Sequence, residues 1–261
     1  MFERLLSRVG IGAPSIELLL HDAEVIRGET LFGEIRVVGG RSAQEIRHID
    51  LSLQTHYLHH ANEHHSHTET LRQSRASEGF RLGVRETRLL PFEMVIPMVT
   101  PVSLDLAQVW IKAELDLAWA VDHQDFEPLK VLPDAATAHL LNTARELGFE
   151  HRPESGCCMA FSEEPDVPYT QVFMLEAKGR IGFRLRKQLQ TVDMLVRANN
   201  YDAEIQLEIN RQGPQVSGWL PEHSRLNGNR LRFRLRHNEP FPDGGLEELL
   251  LRIVRNGTQN V

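Results

Sequence analysis

Residues 109–121 read VWIKAELDLAWAV, and apolar side chains alternate with polar ones along most of this stretch. The apolar set begins with Val109 and Ile111, and the polar set begins with Lys112 and Glu114. Successive side chains of a β-strand point to opposite faces of the sheet. The stretch therefore predicts a long antiparallel strand with one buried face and one solvated face.

The same two-residue period recurs on both sides of this strand. It is found over residues 15–20, 30–37, 49–57, 171–177, 181–185, 203–209 and 231–235. Gly, Pro, Asn and Asp residues separate these runs, as expected of turns between strands. Short alternating strands at this spacing are typical of β-sandwiches.

Helical spacing of apolar residues occurs in three places. A short N-terminal helix is predicted over residues 2–9, and a second helix begins after the N-cap Asp134 and ends at Gly148. Asp243 is the expected N-cap of a last helix. The apolar stripe of that last helix comprises Leu246, Leu249, Leu250 and Ile253.

These elements predict an all-β protein of two tandem antiparallel β-sandwich domains, with a short N-terminal helix, a linking helix and a C-terminal helix. We expect the first sandwich over residues 1–132, the linking helix and loop over 133–155, and the second sandwich with the C-terminal helix over 156–261. Residues 1–130 hold 19 acidic and 13 basic side chains, which is −6 of the total charge of −7. The first domain is therefore the acidic one.

Composition and charge exclude several classes of function. A net charge of −7 and a pI near 6.0 argue against general nucleic-acid binding, which needs a basic surface. No apolar run approaches the ~18 residues that cross a bilayer, and the first residues lack the pattern of a signal peptide. Cys157 and Cys158 are adjacent, so no disulfide framework is expected and a cytoplasmic location is favoured. Familiar nucleophile, phosphate-loop and metalloprotease motifs are missing from the sequence.

Several segments carry a resemblance to a known family. Among them are RGETLFGEIRVVGG at residues 27–40, PFEMVIP at 91–97 and VWIKAELDLAWAVDHQDFEPLKV at 109–131, of which the last is the most specific. In these segments the chain resembles the sporulation-control (SpoOM-type) family, whose members have an arrestin-like β-sandwich. The match covers nearly all of residues 1–150 and is thinner beyond. The resemblance implies a two-layer arrestin-like sandwich and a regulatory or scaffolding role, and it supplies no catalytic residues.

A histidine-rich segment, HYLHHANEHHSH at residues 56–67, departs from the family pattern. Imidazole is a good ligand for Zn, Ni and Cu, and alternate residues of a strand share one face. The candidate metal ligands are His59, His60, His65 and His67. The alternatives are a solvated hairpin that titrates at about pH 6.5, adventitious or regulatory binding of Zn or Ni, and a metal-dependent hydrolase. No other cofactor is expected.

An arginine ladder lies on the polar face of the last predicted strand. It comprises Arg230, Arg232, Arg234 and Arg236. The arginines, spaced ~7 Å apart along one strand, repel each other unless nearby acidic groups pair with them. One alternative is pairing within the chain, with the polar row Glu204, Gln206 and Glu208. The other is a docking surface for an acidic partner, because arginine suits bidentate recognition of acidic groups.

The apolar stripe of the last helix is a second candidate partner-binding surface, with Leu246 and Leu250 at its centre. It packs either against the protein's own sandwich or against a partner, and a second copy as partner would give a homodimer. Cys157 and Cys158 are expected to be buried and inert, because a reactive thiol needs a cation or helix start that lowers its pKa.

Taken together, the sequence predicts a non-enzymatic, cytoplasmic regulatory or scaffolding protein that binds other proteins, and neither nucleic acid nor an integral membrane segment is expected. The competing hypothesis is a metal-binding protein or metal-dependent hydrolase that uses residues 56–67.

Overall fold

The chain divides into two compact units. A computed structural model describes residues 13–58, 66–104, 106–118, 122–160, 168–178, 191–210, 230–237 and 245–250. The first unit comprises Met1–Thr55, Glu69–Thr100 and Val109–Val131. The second unit comprises His56–Thr68, Pro101–Gln108 and Leu132–Val261.

The first eight strands, most of whose residues belong to the first unit, form two sheets. These strands are β1 (Ser15–Leu20), β2 (Glu24–Ile26), β3 (Thr30–Val38), β4 (Gln44–Tyr57), β5 (His67–Leu82), β6 (Thr87–Val95), β7 (Val109–Leu117) and β8 (His123–Leu132). One sheet has three strands in the order β1-β3-β6, and the other has five in the order β2-β8-β7-β4-β5. The β1–β3, β3–β6, β4–β7 and β7–β8 pairs are antiparallel.

One hydrophobic core joins the inner faces of these two sheets, which makes the first unit a two-layer sandwich. Ile35 from the smaller sheet and Ile49 and Ile111 from the larger one are completely buried. The alternation along residues 109–117 is therefore confirmed, with every second side chain buried. The strand ends at Leu117, whose N–H donates to Asp122 Oδ1 at 3.2 Å; residues 119–121 of the predicted strand lie outside the described ranges.

The second unit is built on one six-stranded sheet. Its strands are β9 (Phe149–His151), β10 (Cys158–Ala160), β11 (Tyr169–Ala177), β12 (Thr191–Ala198), β13 (Asp202–Asn210) and β14 (Arg230–Arg236). They follow the order β10-β11-β12-β13-β14, and β9 also pairs with β11. Phe173, Met194 and Ile205 are buried on one face of this sheet, and Val172, Met174 and Leu195 are buried on the other.

Two helices lie in the described part of the chain, α1 (Ala135–Glu146) and α2 (residues 245–250). The predicted cap of α1 is confirmed, because Asp134 Oδ1 accepts from the N–H groups of Ala136 and Thr137 at 3.1 and 3.2 Å. Gly148 follows the helix with a φ of 85°, the left-handed conformation expected after a helix end. In these ranges, no helix has the length and apolar character needed to span a membrane.

The all-β class is confirmed. The predicted helix over residues 2–9 and the predicted strand over 181–185 lie outside the described ranges. The described residues of the second unit show a single sheet, so a second sandwich there stays a prediction. The boundaries 1–132, 133–155 and 156–261 also stay a prediction; α1 belongs to the second unit.

Candidate partner-binding surface

The arginine ladder lies on β14, directly beside an acidic row on β13. The antiparallel register forms the pairs Asp202–Arg236, Glu204–Arg234, Gln206–Arg232 and Glu208–Arg230. Side chains directly opposite each other in such a pair share one face of the sheet. Pairing within the chain, one of the two alternatives for this ladder, is therefore confirmed. We call the surface formed by Arg197, Asp202, Glu204, Gln206, Arg232, Arg234 and Arg236 the arginine face.

Glu204 is the electrostatic centre of the arginine face. Its Oε1 lies 3.2 Å from Arg232 Nε, and its Oε2 lies 3.1 Å from Arg234 Nη2. From the other side, Arg197 Nη1 lies 3.6 Å from Glu204 Oε1. One carboxylate thus offsets part of the repulsion among three guanidinium groups. Because the side chain of Glu204 is only 19% exposed, water screens these contacts incompletely.

Arg232 and Arg234 remain accessible although both are bound to Glu204. Their side chains are 53% and 67% exposed, whereas that of Arg197 is 17% exposed. Arg232 also donates from Nη2 to Gln206 Oε1 at 3.5 Å. A guanidinium group has five N–H donors, so these contacts leave donors that point outward. The arginine face is a row of cations held in place by the sheet and open to an acidic group.

Arg230 has a described place in β14, opposite Glu208, but its side chain lies outside the described part of the structure. Arg236 is exposed at the other end of the strand. The partner-binding role of all four arginines stays a prediction.

His237 fixes the end of β14 in the second unit. Its backbone N–H donates to Tyr201 O at 3.3 Å, and its Nε2 lies 2.7 Å from Asn199 O. Its Nδ1 lies 3.2 Å from Asp134 Oδ1, the atom that caps α1. These contacts tie the arginine strand to the β12–β13 turn and to the start of α1.

The histidine-rich segment lies mostly outside the described residues. This applies to three of the four predicted metal ligands, His59, His60 and His65. His67 begins β5, where its ring lies 5.5 Å from that of Tyr57. His56 Nδ1 lies 3.4 Å from Thr68 Oγ1, and burial lowers the pKa of His56. Among the described residues, no group of three His, Cys, Asp or Glu side chains is placed to hold a metal ion. Metal binding by this segment stays a prediction.

Cys157 and Cys158 are both buried, as expected. Burial, together with the negative charge of Asp193, raises the pKa of Cys157 to about 11. Burial and the neighbouring Cys157 also raise the pKa of Cys158 above its usual range. Because the thiolate is the reactive form, both thiols are inert at neutral pH.

A serine–histidine pair in the second unit has the contact distance of a catalytic pair. Ser155 Oγ lies 2.7 Å from His151 Nδ1, and burial lowers the pKa of His151. The serine is only 3% exposed, and its Oγ accepts a hydrogen bond from the N–H of Met174 at 2.9 Å. Because this oxygen is buried and already contacts the imidazole of His151 and the N–H of Met174, it is poorly placed to attack a substrate.

Leu246 and Leu250 lie on α2, and each is 1% exposed. These two leucines of the stripe are therefore covered within the chain, which was the first of the two alternatives, and Ile253 lies outside the described residues. A role for these leucines in binding a partner or a second copy stays a prediction.

Two residues of the arginine face, Arg197 and Asp202, were not singled out from the sequence, and neither was His237, which fixes the end of β14. Arg197 shares a face with Glu204 because both belong to the same register pair of β12 and β13. The side chains of β12 alternate with a two-residue period, which places Asp193 and Arg197 on the same face of the strand. His237 had no such signal, because its partners lie far from it in sequence.

Comparisons with known proteins agree with this architecture. The model of the SpoOM protein family matches residues 2–213 of the chain. The sporulation-control protein spo0M of Bacillus subtilis (strain 168) is 28% identical over 254 residues, which cover 97% of this chain and 97% of that protein. The crystal structure of Spo0M, sporulation control protein, from Bacillus subtilis matches with a TM-score of 0.82 at 26% identity. That match covers 94% of this chain and 99% of the other.

Proposed function

Because this chain belongs to the SpoOM protein family, we propose that it is a regulatory or scaffolding protein that binds other proteins and catalyses no reaction. Membership of the family and likeness to a sporulation-control protein support a regulatory role. The finer part of the proposal, action through protein binding, is supported by the arginine face.

The observation that carries the proposal is the exposure of Arg232 and Arg234 in a fixed row. A sheet positions side chains more rigidly than a loop does, so little conformational entropy is lost when a partner binds. Arginine is also enriched at the centres of protein interfaces, where its planar group binds carboxylates in a bidentate way. We therefore assign an acidic protein segment as the partner of this face.

A regulatory role without catalysis is also supported by the buried chemistry of the second unit. The thiol pKa values are raised, and Ser155 is buried with its side-chain oxygen already bound by the N–H of Met174. We propose a cytoplasmic location on related grounds, because both cysteines of the chain are free thiols.

The test is affinity capture from a lysate of the source organism, followed by identification of the partners. The double variant Arg232→Gln, Arg234→Gln removes both charges but keeps polar side chains beside Glu204. Charge reversal is less suitable, because it would place two new acids against that carboxylate. We expect the variant to lose the captured partners, with a melting temperature within a few degrees of the native one.

The matched control is Arg75→Gln, which removes an exposed arginine that is bound to Asp50 in the first unit. This variant should capture the same partners as the native chain. If both variants lose the partners equally, or if neither loses any, the arginine face is not the binding surface.

A further inference from the structure

The outer face of the three-stranded sheet β1-β3-β6 is unusually apolar for a surface that faces water. Among the described residues, eight large apolar side chains are well exposed, and three of them share this face. These three are Phe32 at 50% exposure, Leu89 at 54% and Val95 at 44%. Pro91 is exposed on the same face, and Leu19 is half-buried there. We call these five residues and the acids between them the apolar face.

The register of the strands gathers these side chains into one patch. Phe32 lies on the central strand β3 and pairs with Glu93 on β6. The next outward position of β3 is Glu34, which pairs with Leu19 on one side and Pro91 on the other. Directly opposite and diagonal neighbours on one face of a sheet are within contact range. The patch is therefore continuous rather than a scatter of single apolar residues.

The outer face of the five-stranded sheet in the same unit is more polar and serves as a comparison. There, Trp110 Nε1 donates to Gln54 Oε1 at 3.0 Å, and Lys112 Nζ lies 2.6 Å from Glu114 Oε2. Polar side chains on that face form hydrogen bonds and ion pairs with one another. Phe126 is an exposed apolar side chain there, at 51%, beside Lys112 in the register.

The dimensions of the apolar face fit one α-helix. Leu89 and Val95 are six positions apart on β6, which corresponds to about 20 Å along the strand. Three strands at ~4.8 Å spacing give a width of about 10 Å. A helix is about 10 Å wide and rises 1.5 Å per residue, so about 14 residues would cover this length.

The charges of the apolar face define the chemistry of what covers it. Among the described residues, Glu34 and Glu93 make no ion pair, whereas Glu17 is bound to Arg36, which lies on the central strand β3 directly opposite Leu89. The face therefore carries two uncompensated negative charges next to its apolar centre. Two copies of this face would repel each other, because each would bring the same acids.

From this we infer that the apolar face binds a basic amphipathic helix of a partner protein, about four turns long. Leucine-type side chains of the helix pack on Phe32, Leu89 and Val95, and lysines or arginines beside its apolar stripe reach Glu34 and Glu93. Recognition of a helix through its apolar face is a recurrent mode of binding, and flanking charges set the partner and its orientation. The inference does not depend on the arginine face, which belongs to the other unit.

The experiment measures binding of the full chain to a fluorescent 14-residue helical peptide of leucine and lysine by anisotropy. A second peptide has glutamate in place of every lysine. We expect the lysine peptide to bind and the glutamate peptide to bind at least about tenfold more weakly. The variant Glu34→Gln, Glu93→Gln, which changes neither size nor shape, should weaken binding of the lysine peptide by about tenfold.

The matched pair of apolar variants is Phe32→Ser and Phe126→Ser, because the two rings are exposed to nearly the same degree on different sheets. Phe32→Ser should weaken binding by about tenfold, and Phe126→Ser should leave it within about twofold. Equal losses in the two serine variants would overturn the proposal, as would equal binding of the two peptides. Sedimentation of the native chain and of Phe32→Ser addresses self-association: a dimer that Phe32→Ser converts to a monomer would also overturn it.

Discussion

The arginine face and the apolar face are both open to water, but their charges have different relations to the fold. On the arginine face, Arg232 and Arg234 are held by Glu204 within the same sheet. On the apolar face, Glu34 and Glu93 make no ion pair among the described residues, and Phe32 is half exposed. The first surface contributes to folding before any partner arrives. The second surface contributes little to folding, and the proposed binding of a partner helix accounts for its exposed apolar side chains.

This difference has a consequence for mutations. A change on the arginine face alters stability and binding together, because the same side chains take part in both. A change on the apolar face alters binding with little effect on stability. Stability measurements can therefore separate the two surfaces before any partner is identified.

Replacing one acid on each face should give the largest contrast. Glu204→Ala leaves three guanidinium groups close together without their shared carboxylate, so we expect a loss of about 2 kcal/mol in the free energy of unfolding. Glu93→Ala removes an exposed acid that makes no ion pair among the described residues, and we expect a change within about 0.5 kcal/mol. Urea unfolding of both variants measures this difference. Equal losses would mean that the two faces do not differ in their contribution to folding.

Acidification should cause a smaller loss of folding stability than Glu204→Ala does, and this loss should arise in the second unit. His56 and His151 both belong to that unit, and burial lowers the pKa of each below its usual value. The unfolded chain then binds protons more readily than the folded one, so this stability is complete above about pH 6.5 and is lost as the pH falls through the lowered values.

We expect the urea midpoint to be lower at pH 5.5 than at pH 7.5. Part of that loss should disappear in His151→Gln, which cannot be protonated in this range. His56→Gln should also remove part of the loss, because burial lowers the pKa of His56 as well. If neither variant reduces the difference between the two midpoints, the lowered pKa values of these two histidines are not its cause.

Zinc should have the smallest effect on either face. Neither face includes the histidine-rich segment 56–67, and the described residues hold no group of metal ligands. For protein prepared without an affinity tag, we expect far less than one zinc ion per chain and an unchanged melting temperature on adding zinc. Stoichiometric zinc with a rise in melting temperature would favour the metal-binding alternative, since a ligand that binds the folded state stabilises it.

The same two faces show which features of the fold and of the candidate sites can be predicted from the sequence. The two-residue period predicted both the β13 and β14 strands, and pairing of Glu204 with the arginine ladder, which the register shows, was one of the two alternatives that it left open. The involvement of Arg197 was missed, since it depends on the register of a third strand. The order of strands in a sheet is set by packing that a single sequence does not display.

The apolar face was harder to anticipate. Residues 89–92 read LLPF, an apolar run in which period alone does not say which side chains point inward. The structure buries Phe92 and leaves Leu89 exposed. Gly33 of β3 helps to decide this, because a Cβ at that position would lie 2.7 Å from the ring of Phe92. The space that the glycine leaves is filled by the inward ring, and the alternate residues of β6 are turned outward.

The measurement that tests the two-surface account most directly is quantitative capture of partners by the full chain and by one double variant of each face. The variants are Arg232→Gln, Arg234→Gln for the arginine face and Phe32→Ser, Leu89→Ser for the apolar face. We expect each variant to lose a different set of partners and to retain the set lost by the other. Loss of one common set by both variants, or of none by either, would contradict the claim that this protein acts through two separate binding surfaces.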